Sequence, residues 1–309
     1  MKAVFIERFG GPDVLQYGDL PDPAAGSGQI VVDVVAASVN GADWKVRSGH
    51  YGGQPTAAKF PLILGRDFSG VVSALGEGAT DFAIGDEVFG VLEAGREGAY
   101  AERLAITAAI VAKKPAAMSH ITAAALALGG LTAIKSVEDT LQLRTGETIL
   151  IQGGAGGVGS FAVQLAKYLG AYVITTARAE NHSFLREIGA DEIIDYTKSD
   201  FTQIGQRCEA VFDTVGGDVG PKSYSVLKPG GRAAFIAFAQ APKPVRDDVT
   251  PLRPLVSRAR APLERVAALF TAGAVRAPAI KLYRLSEAAE AHRLSESRHF
   301  RGKLVFQVR

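Results

Sequence analysis

The stretch Glu147-Thr-Ile-Leu-Ile-Gln-Gly-Gly-Ala-Gly-Gly-Val-Gly-Ser-Phe-Ala-Val-Gln-Leu-Ala-Lys167 carries more information than any other in this 309-residue chain. Thr148–Gln152 is a strand-length apolar run, and Val158–Leu169 spaces its apolar residues as a helix does. Between them, Gly154, Gly156 and Gly159 satisfy Gly-x-Gly-x-x-Gly, a pattern that is weak alone and informative where it joins a strand to a helix. Glycine permits the tight turn, lets backbone approach a pyrophosphate without a Cβ clash, and lets helix and strand pack closely. The start of the helix then offers unpaired N–H groups and a positive dipole end to an anion. The expectation is a dinucleotide-binding turn, weighed against a Gly-rich turn that holds nothing.

Outward from this turn the chain changes texture twice. Downstream, Tyr172–Thr176, Glu192–Asp195, Ala210–Asp213 and Ala233–Phe238 read as further buried strands, separated by helical stretches such as Asn181–Ile188. Such alternation implies βαβ units and a parallel sheet, since each crossover needs a helix to cover a sheet face. Upstream of about residue 115, short β-branched runs (Ala3–Ile6, Ile30–Ala36, Gly70–Ala74, Glu87–Leu92) alternate with turn clusters such as Pro21–Gly28, a β-leaning region. After Pro242–Pro254 come a helix around Leu263–Ala272, a strand near Ala279–Leu282, a helix at Ser286–Leu294 and a strand at Lys303–Val308. The fold class is α/β.

Composition narrows the function classes. The chain is 47% hydrophobic and 21% charged with a formal net charge of +2. Its basic residues are scattered, so no surface for nucleic acid or anionic membrane is expected. The longest apolar stretch, Ile121–Ile134, is interrupted by Gly129 and Gly130 and is short for a bilayer span. Met1–Gly10 shows no signal-peptide pattern, and Cys208 is the only cysteine, so no intrachain disulfide or multi-cysteine metal site can form. The expected location is the cytoplasm.

The end of the second parallel strand decides the dinucleotide. A ribose-binding acid belongs roughly 20 positions beyond the turn. The sequence there is Thr175-Thr-Ala-Arg-Ala-Glu180, with no acid at the strand end and Arg178 just after it. A guanidinium holds a 2′-phosphate by charge-assisted hydrogen bonds, so NADPH is expected over NADH. The alternative leaves Arg178 solvated and brings Glu180 to the ribose. Asn181 and Tyr196 are candidates to join Arg178. Gly157, Val158, Thr176, Thr214, Val215 and Phe238 should line the dinucleotide, because such ligands sit at the carboxyl ends of strands.

The Gly-Gly-Ala-Gly-Gly-Val-Gly run at 153–159 resembles the nucleotide motif of the medium-chain dehydrogenase/reductase superfamily, in particular its quinone oxidoreductase and zeta-crystallin-like branch. Supporting pieces occur in order along almost the whole chain: Val39-Asn-Gly-Ala-Asp43, Gly65-Arg-Asp-Phe-Ser-Gly-Val-Val72, Gly85-Asp-Glu-Val-Phe-Gly90, Gly98-Ala-Tyr-Ala-Glu102, Gly130-Leu-Thr-Ala133, Gly189-Ala-Asp191, Asp213-Thr-Val-Gly-Gly217 and Gly302-Lys-Leu-Val305. The resemblance implies a GroES-like substrate domain built from both chain ends, residues 1–115 and 254–309, with a Rossmann domain, 116–253, inserted between them. It also implies an active site in the cleft between the domains, a homodimer, and a nicotinamide-side role for Thr132.

Zinc-dependent members of the superfamily place Cys and His-Glu at two motifs whose matching positions here hold Asn40 and Arg66-Asp67. Catalytic zinc takes three protein ligands, typically Cys thiolate, His nitrogen or carboxylate, and Asn and Arg do not serve. Without a Lewis acid, reduction of a conjugated acceptor is easier than alcohol oxidation, because the charge lands on an enolate-like oxygen that donors can stabilise. The expected activity is therefore NADPH-dependent, zinc-independent hydride transfer to a quinone or α,β-unsaturated carbonyl. The alternatives are an enoyl-thioester reductase, or a dinucleotide-binding regulatory or structural protein with little turnover. Asn40 is the expected donor to substrate oxygen, with an Asx turn as its structural alternative, and Tyr51 is a second donor or an aromatic packing residue. Asp43 and Arg66-Asp67 read as a structural charge cluster, and Lys303 as either a cleft or a surface lysine. His50, His120, His182, His292 and His299 form no close-spaced pair.

Overall fold

Thr148–Gln152 forms a strand, the chain reverses at Gly153, where φ is +78°, and the helix Gly157–Tyr168 follows. These are features of a computed structural model that describes residues 1–51, 54–55, 58–93, 95–96, 98–256 and 258–309, with the side chains of Tyr51, Gln54 and Pro55 left out. By contacts the chain divides into two units, Met1–Leu128 with Ser257–Thr271 and Ala277–Arg309, and Gly129–Val256 with Ala272–Arg276.

The second unit holds a six-stranded sheet in the spatial order Glu192–Ile194, Tyr172–Thr176, Thr148–Gln152, Cys208–Asp213, Leu227–Phe235, Thr250–Leu252. All its pairings are parallel. In chain order this is 3-2-1-4-5-6, the Rossmann arrangement, whose order reverses between the strands Thr148–Gln152 and Cys208–Asp213. The helix after the glycine turn buries Phe161, Val163 and Leu165, while Leu150, Ile174, Val211 and Phe235 belong to the sheet's core. The expected strand Ala233–Phe238 instead runs from Leu227 to Phe235, because Pro229-Gly230-Gly231 masks its first half. The last strand, Thr250–Leu252, lies in the segment read as proline-rich connection; Pro251 is tolerated because the strand is at the sheet edge.

The first unit is organised around the long strand Gln29–Val39. It pairs antiparallel with Asp67–Leu75, Arg103–Thr107 and the final strand Lys303–Gln307. That last pairing, with Leu304 opposite Val39, makes one sheet of both chain ends. Ile30, Val32, Phe68, Val88, Leu304 and Phe306 share its core. This is the GroES-like β domain, as expected.

Gly129 and Gly130 do not interrupt the apolar stretch after residue 120. The helix His120–Ile134 runs through them and continues as π-helical turns over Lys135–Thr140. A Cβ on Gly129 would lie 3.1 Å from the Gly157 carbonyl, so glycine there permits close packing on the nucleotide turn. The run His120–Thr140 is long and apolar enough to cross a membrane by length and composition, and 72% of its apolar window is buried inside the protein. Burial of that extent is what a helix apolar on every face finds in a protein core.

Candidate functional site

The glycines of the turn are not equivalent. A Cβ on Gly154 would lie 2.1 Å from Thr175 Oγ1, and one on Gly159 would lie 2.2 Å from the Gly153 carbonyl, so both are demanded by the fold itself. At Gly156 an added Cβ would meet only the Gly153 carbonyl, at 3.5 Å, and φ is an unstrained −77°. Nothing among the described residues therefore requires glycine at 156, and leaving out the Cβ leaves the backbone there open to a close approach of the kind a pyrophosphate makes. The helix begins there without a side-chain cap, which leaves the N–H groups of Gly157, Val158 and Gly159 in its first turn for an anion. This part of the structure fits a dinucleotide.

The strand ends around the turn are tied together. The Thr176 hydroxyl donates to Gln152 Oε1 at 2.7 Å and accepts from the Gly153 N–H at 3.1 Å. The Thr214 hydroxyl donates to the Gln152 carbonyl at 2.7 Å. Buried Asp213 accepts at Oδ1 from the N–H groups of Val215 (2.8 Å) and Gly216 (3.1 Å). Its Oδ2 has no partner among the described residues, and burial raises its carboxyl against those two bonds. Thr176 and Thr214 thus shape the turn, while Val215 is 40% exposed and one of its methyls would lie 2.9 Å from a Cβ on Gly153. Phe238 lies beyond the strand and packs edge-on against Phe235 with centroids 5.9 Å apart.

Arg178 and Tyr196 come together although 18 residues separate them, the Arg178 Nε donating to the Tyr196 hydroxyl at 3.0 Å. They follow two neighbouring parallel strands, Tyr172–Thr176 and Glu192–Ile194, and Tyr196 is 53% exposed. Asn181 closes the short 3-10 turn Ala179–Asn181 that starts at Arg178. Arg178, Tyr196 and Asn181 therefore share one end of the sheet. Thr132 is buried near the end of its helix, where its carbonyl accepts from Ser136 Oγ at 2.7 Å.

A second polar centre lies in the first unit. Asn40 caps the helix Gly41–Arg47, its N–H donating to Asp43 Oδ2 at 2.8 Å. Asp43 also accepts from the Tyr100 hydroxyl at 2.7 Å and is completely buried. Burial pushes its carboxyl up to about 6, with Arg66 and the Tyr100 bond opposing and Asp67 adding to the rise. Ser38 Oγ donates to Asp67 Oδ2 at 2.6 Å, and the Lys303 ammonium reaches the same oxygen at 3.4 Å. Lys303 donates further to Asn40 Oδ1 at 2.7 Å and to the Val39 carbonyl at 3.2 Å. Asp43, Arg66, Asp67 and Lys303 are all buried, two cations against two carboxylates. The surface alternative for Lys303 is thereby removed, and the expected charge cluster at Asp43, Arg66 and Asp67 is present. The Tyr51 side chain lies outside the described residues.

Among the described residues no three His, Cys, Asp or Glu side chains group to hold a metal. Cys208 is buried in the core of the parallel sheet, where burial pushes its thiol up to about 12 and leaves it inert. Sequence reasoning missed the buried His292, whose Nδ1 lies 3.0 Å from Arg47 Nη1 across 245 residues. Its ring also stands edge-on to Tyr100 at 5.8 Å. Spacing within one segment carries no signal for such a pair.

Two family descriptions match this chain: Alcohol dehydrogenase GroES-like domain over residues 26–116, and Zinc-binding dehydrogenase over residues 188–306. The quinone oxidoreductase of Pseudomonas aeruginosa is 31% identical over 98% of this chain and 98% of its own length. An Arabidopsis thaliana protein named NADPH-dependent alkenal/one oxidoreductase, chloroplastic, is 34% identical over 81% of this chain, and the match spans 66% of that protein. The solved structure of the Coxiella burnetii quinone oxidoreductase superposes with a TM-score of 0.91 at 35% identity, covering 100% of this chain and 99% of that one.

Proposed function

The chain belongs to the medium-chain dehydrogenase/reductase superfamily, in its zinc-independent, quinone oxidoreductase-like branch, and on that premise we propose that it reduces quinones or α,β-unsaturated carbonyls with NADPH. The observation that carries the reading is the Gly156 cradle at an uncapped helix start, in a parallel sheet of Rossmann order. The cofactor supplies a hydride. Gly156, Gly157, Val158 and Gly159 receive its pyrophosphate, and Arg178 with Tyr196 and Asn181 receives the 2′-phosphate. An exposed guanidinium already bonded to a phenol suits a phosphate dianion, which can take both as donors. The NADPH named for the Arabidopsis relative agrees with this preference.

In the acceptor, charge builds on a carbonyl oxygen as hydride arrives at carbon. Asn40 donates to that oxygen, with Tyr51 as a second donor, and the product takes its proton from solvent. A cytoplasmic location and a homodimer complete the reading; the first rests on the single cysteine, the second on the resemblance. Asn40→Ala tests the chemical half. Loss of one donor to a developing oxyanion should lower kcat by roughly 10²-fold, while the dissociation constant for NADPH, read by its fluorescence, stays put. An unchanged kcat would remove Asn40 from the chemistry.

A further inference from the structure

Lys303 opens the last strand of the chain, and the backbone before it is shaped to bring it inward. Gly302 has φ +78°, and a Cβ there would lie 2.0 Å from the Ala279 carbonyl, so only glycine admits this approach. The Lys303 N–H donates to that same carbonyl at 2.8 Å. From this anchored start the side chain runs into the protein to the Val39 carbonyl, Asn40 Oδ1 and Asp67 Oδ2.

An ammonium has donors and no acceptor. The Asn40 atom 2.7 Å from it must therefore be the amide oxygen, which settles the orientation of the whole side chain. The amide nitrogen then faces away from Lys303. One of its N–H groups makes a long 3.3 Å bond to the Ser38 carbonyl, and no acceptor among the described residues takes the other. Turned by 180°, the same amide would set an NH₂ against a buried cation and offer an oxygen to substrate, repelling the negative charge that hydride transfer creates. Buried Asp67 neutralises the ammonium and helps keep it in place.

We propose that Lys303 is the positioning residue of the acceptor site: its ammonium captures Asn40 Oδ1 and so presents Asn40 Nδ2 to the substrate oxygen as a fixed hydrogen-bond donor. The proposal rests on the role assigned to Asn40 above. Lys303 itself touches no reacting atom.

Lys303→Met leaves Asp67 as an unpaired buried carboxylate, so the test pairs it with Asp67→Asn, which still accepts from Ser38. The double variant, checked for wild-type circular dichroism, should bind NADPH with unchanged affinity and lose kcat for a 1,4-quinone by roughly tenfold, part of the loss from removing the donor outright. Adding Asn40→Ala to it should bring kcat to that of Asn40→Ala alone, because the two changes remove one interaction. Losses that multiply would overturn the proposal. A second readout needs no turnover: the Asn40 side-chain amide signals in a ¹⁵N–¹H spectrum, assigned by their disappearance in Asn40→Asp. They should shift and broaden in the double variant, and unchanged signals would overturn the positioning role. Should wild-type protein reduce no quinone or enone, the proposed function fails, and the amide signals still decide whether Lys303 holds Asn40.

Discussion

Arg178 is the residue proposed to discriminate between two dinucleotides that are otherwise alike. Its guanidinium is bonded to the Tyr196 phenol at 3.0 Å, beside the open end of the sheet. A hydrogen bond to a charged group contributes about 1.5–3 kcal/mol. Arg178→Ala should therefore lower the ratio of kcat/KM for NADPH over NADH by roughly 10- to 150-fold. Steady-state kinetics with each dinucleotide measures that ratio, and an unchanged value would return the 2′-phosphate to some other group. The place of Arg178 just past the second parallel strand was legible because its position relative to the glycine turn is local in sequence. Lys303 was not. Its burial depends on Gly302, Val39 and Asp67 meeting across the sheet, and nothing within its own segment reports that.

At the scale of the turn, the three motif glycines answer to different masters. Gly159 cannot accept a Cβ, because the Gly153 carbonyl would lie 2.2 Å from it, whereas Gly156 can, the same carbonyl then standing at an ordinary contact distance of 3.5 Å. Gly159→Ala should unfold or strongly destabilise the parallel-sheet unit. Gly156→Ala should keep a thermal midpoint near that of the wild type and still lose NADPH affinity by an order of magnitude or more, since the new methyl occupies the approach of the pyrophosphate. Calorimetry and fluorescence titration on the two variants separate these outcomes; equal NADPH affinity in Gly156→Ala and wild type would contradict the assignment. Most strands of the parallel sheet were legible from periodicity, and the exceptions among them share a cause. Thr250–Leu252 and the first half of Leu227–Phe235 contain proline or paired glycines. Pairing partners, rather than local preference, hold these as strands. Gly129-Gly130 misled in the opposite sense, since glycine inside a helix reads as a break until a close neighbour explains it.

For the molecule as a whole, two buried groups in the GroES-like unit oppose each other in their effect on stability. His292, packed with Arg47 and the Tyr100 ring, has its imidazole lowered to about 3, first by burial and then by the Arg47 charge. Unfolded, it titrates near 6.5. A lowered histidine contributes stability that is full above 6.5 and is lost as pH falls toward 3. Asp43, facing Arg66, Asp67 and Tyr100, is raised from 3.8 to about 6. Its contribution has the reverse sign, full below 3.8 and lost as pH rises through 6. Between these limits the two partly cancel. His292→Gln should make the protein lose less stability between pH 6.5 and 4 than wild type does, and Asp43→Asn, which keeps an acceptor for Tyr100, should make it lose more. Thermal midpoints across that range measure both, and three parallel curves would refute the account.

The division of the chain into a β unit made from both ends and an inserted parallel sheet followed from sequence texture together with the family resemblance. The substrate does not follow in the same way, because acceptor choice depends on side chains that come together only through the fold. The most direct test follows the absorbance of NADPH and of NADH, separately, against 1,4-quinones, small enones and enoyl thioesters, with and without a chelator. The predicted result is oxidation of NADPH in preference to NADH by quinones or enones, at a rate the chelator leaves unchanged. Turnover abolished by the chelator, or no oxidation of either dinucleotide across the whole panel, would contradict it.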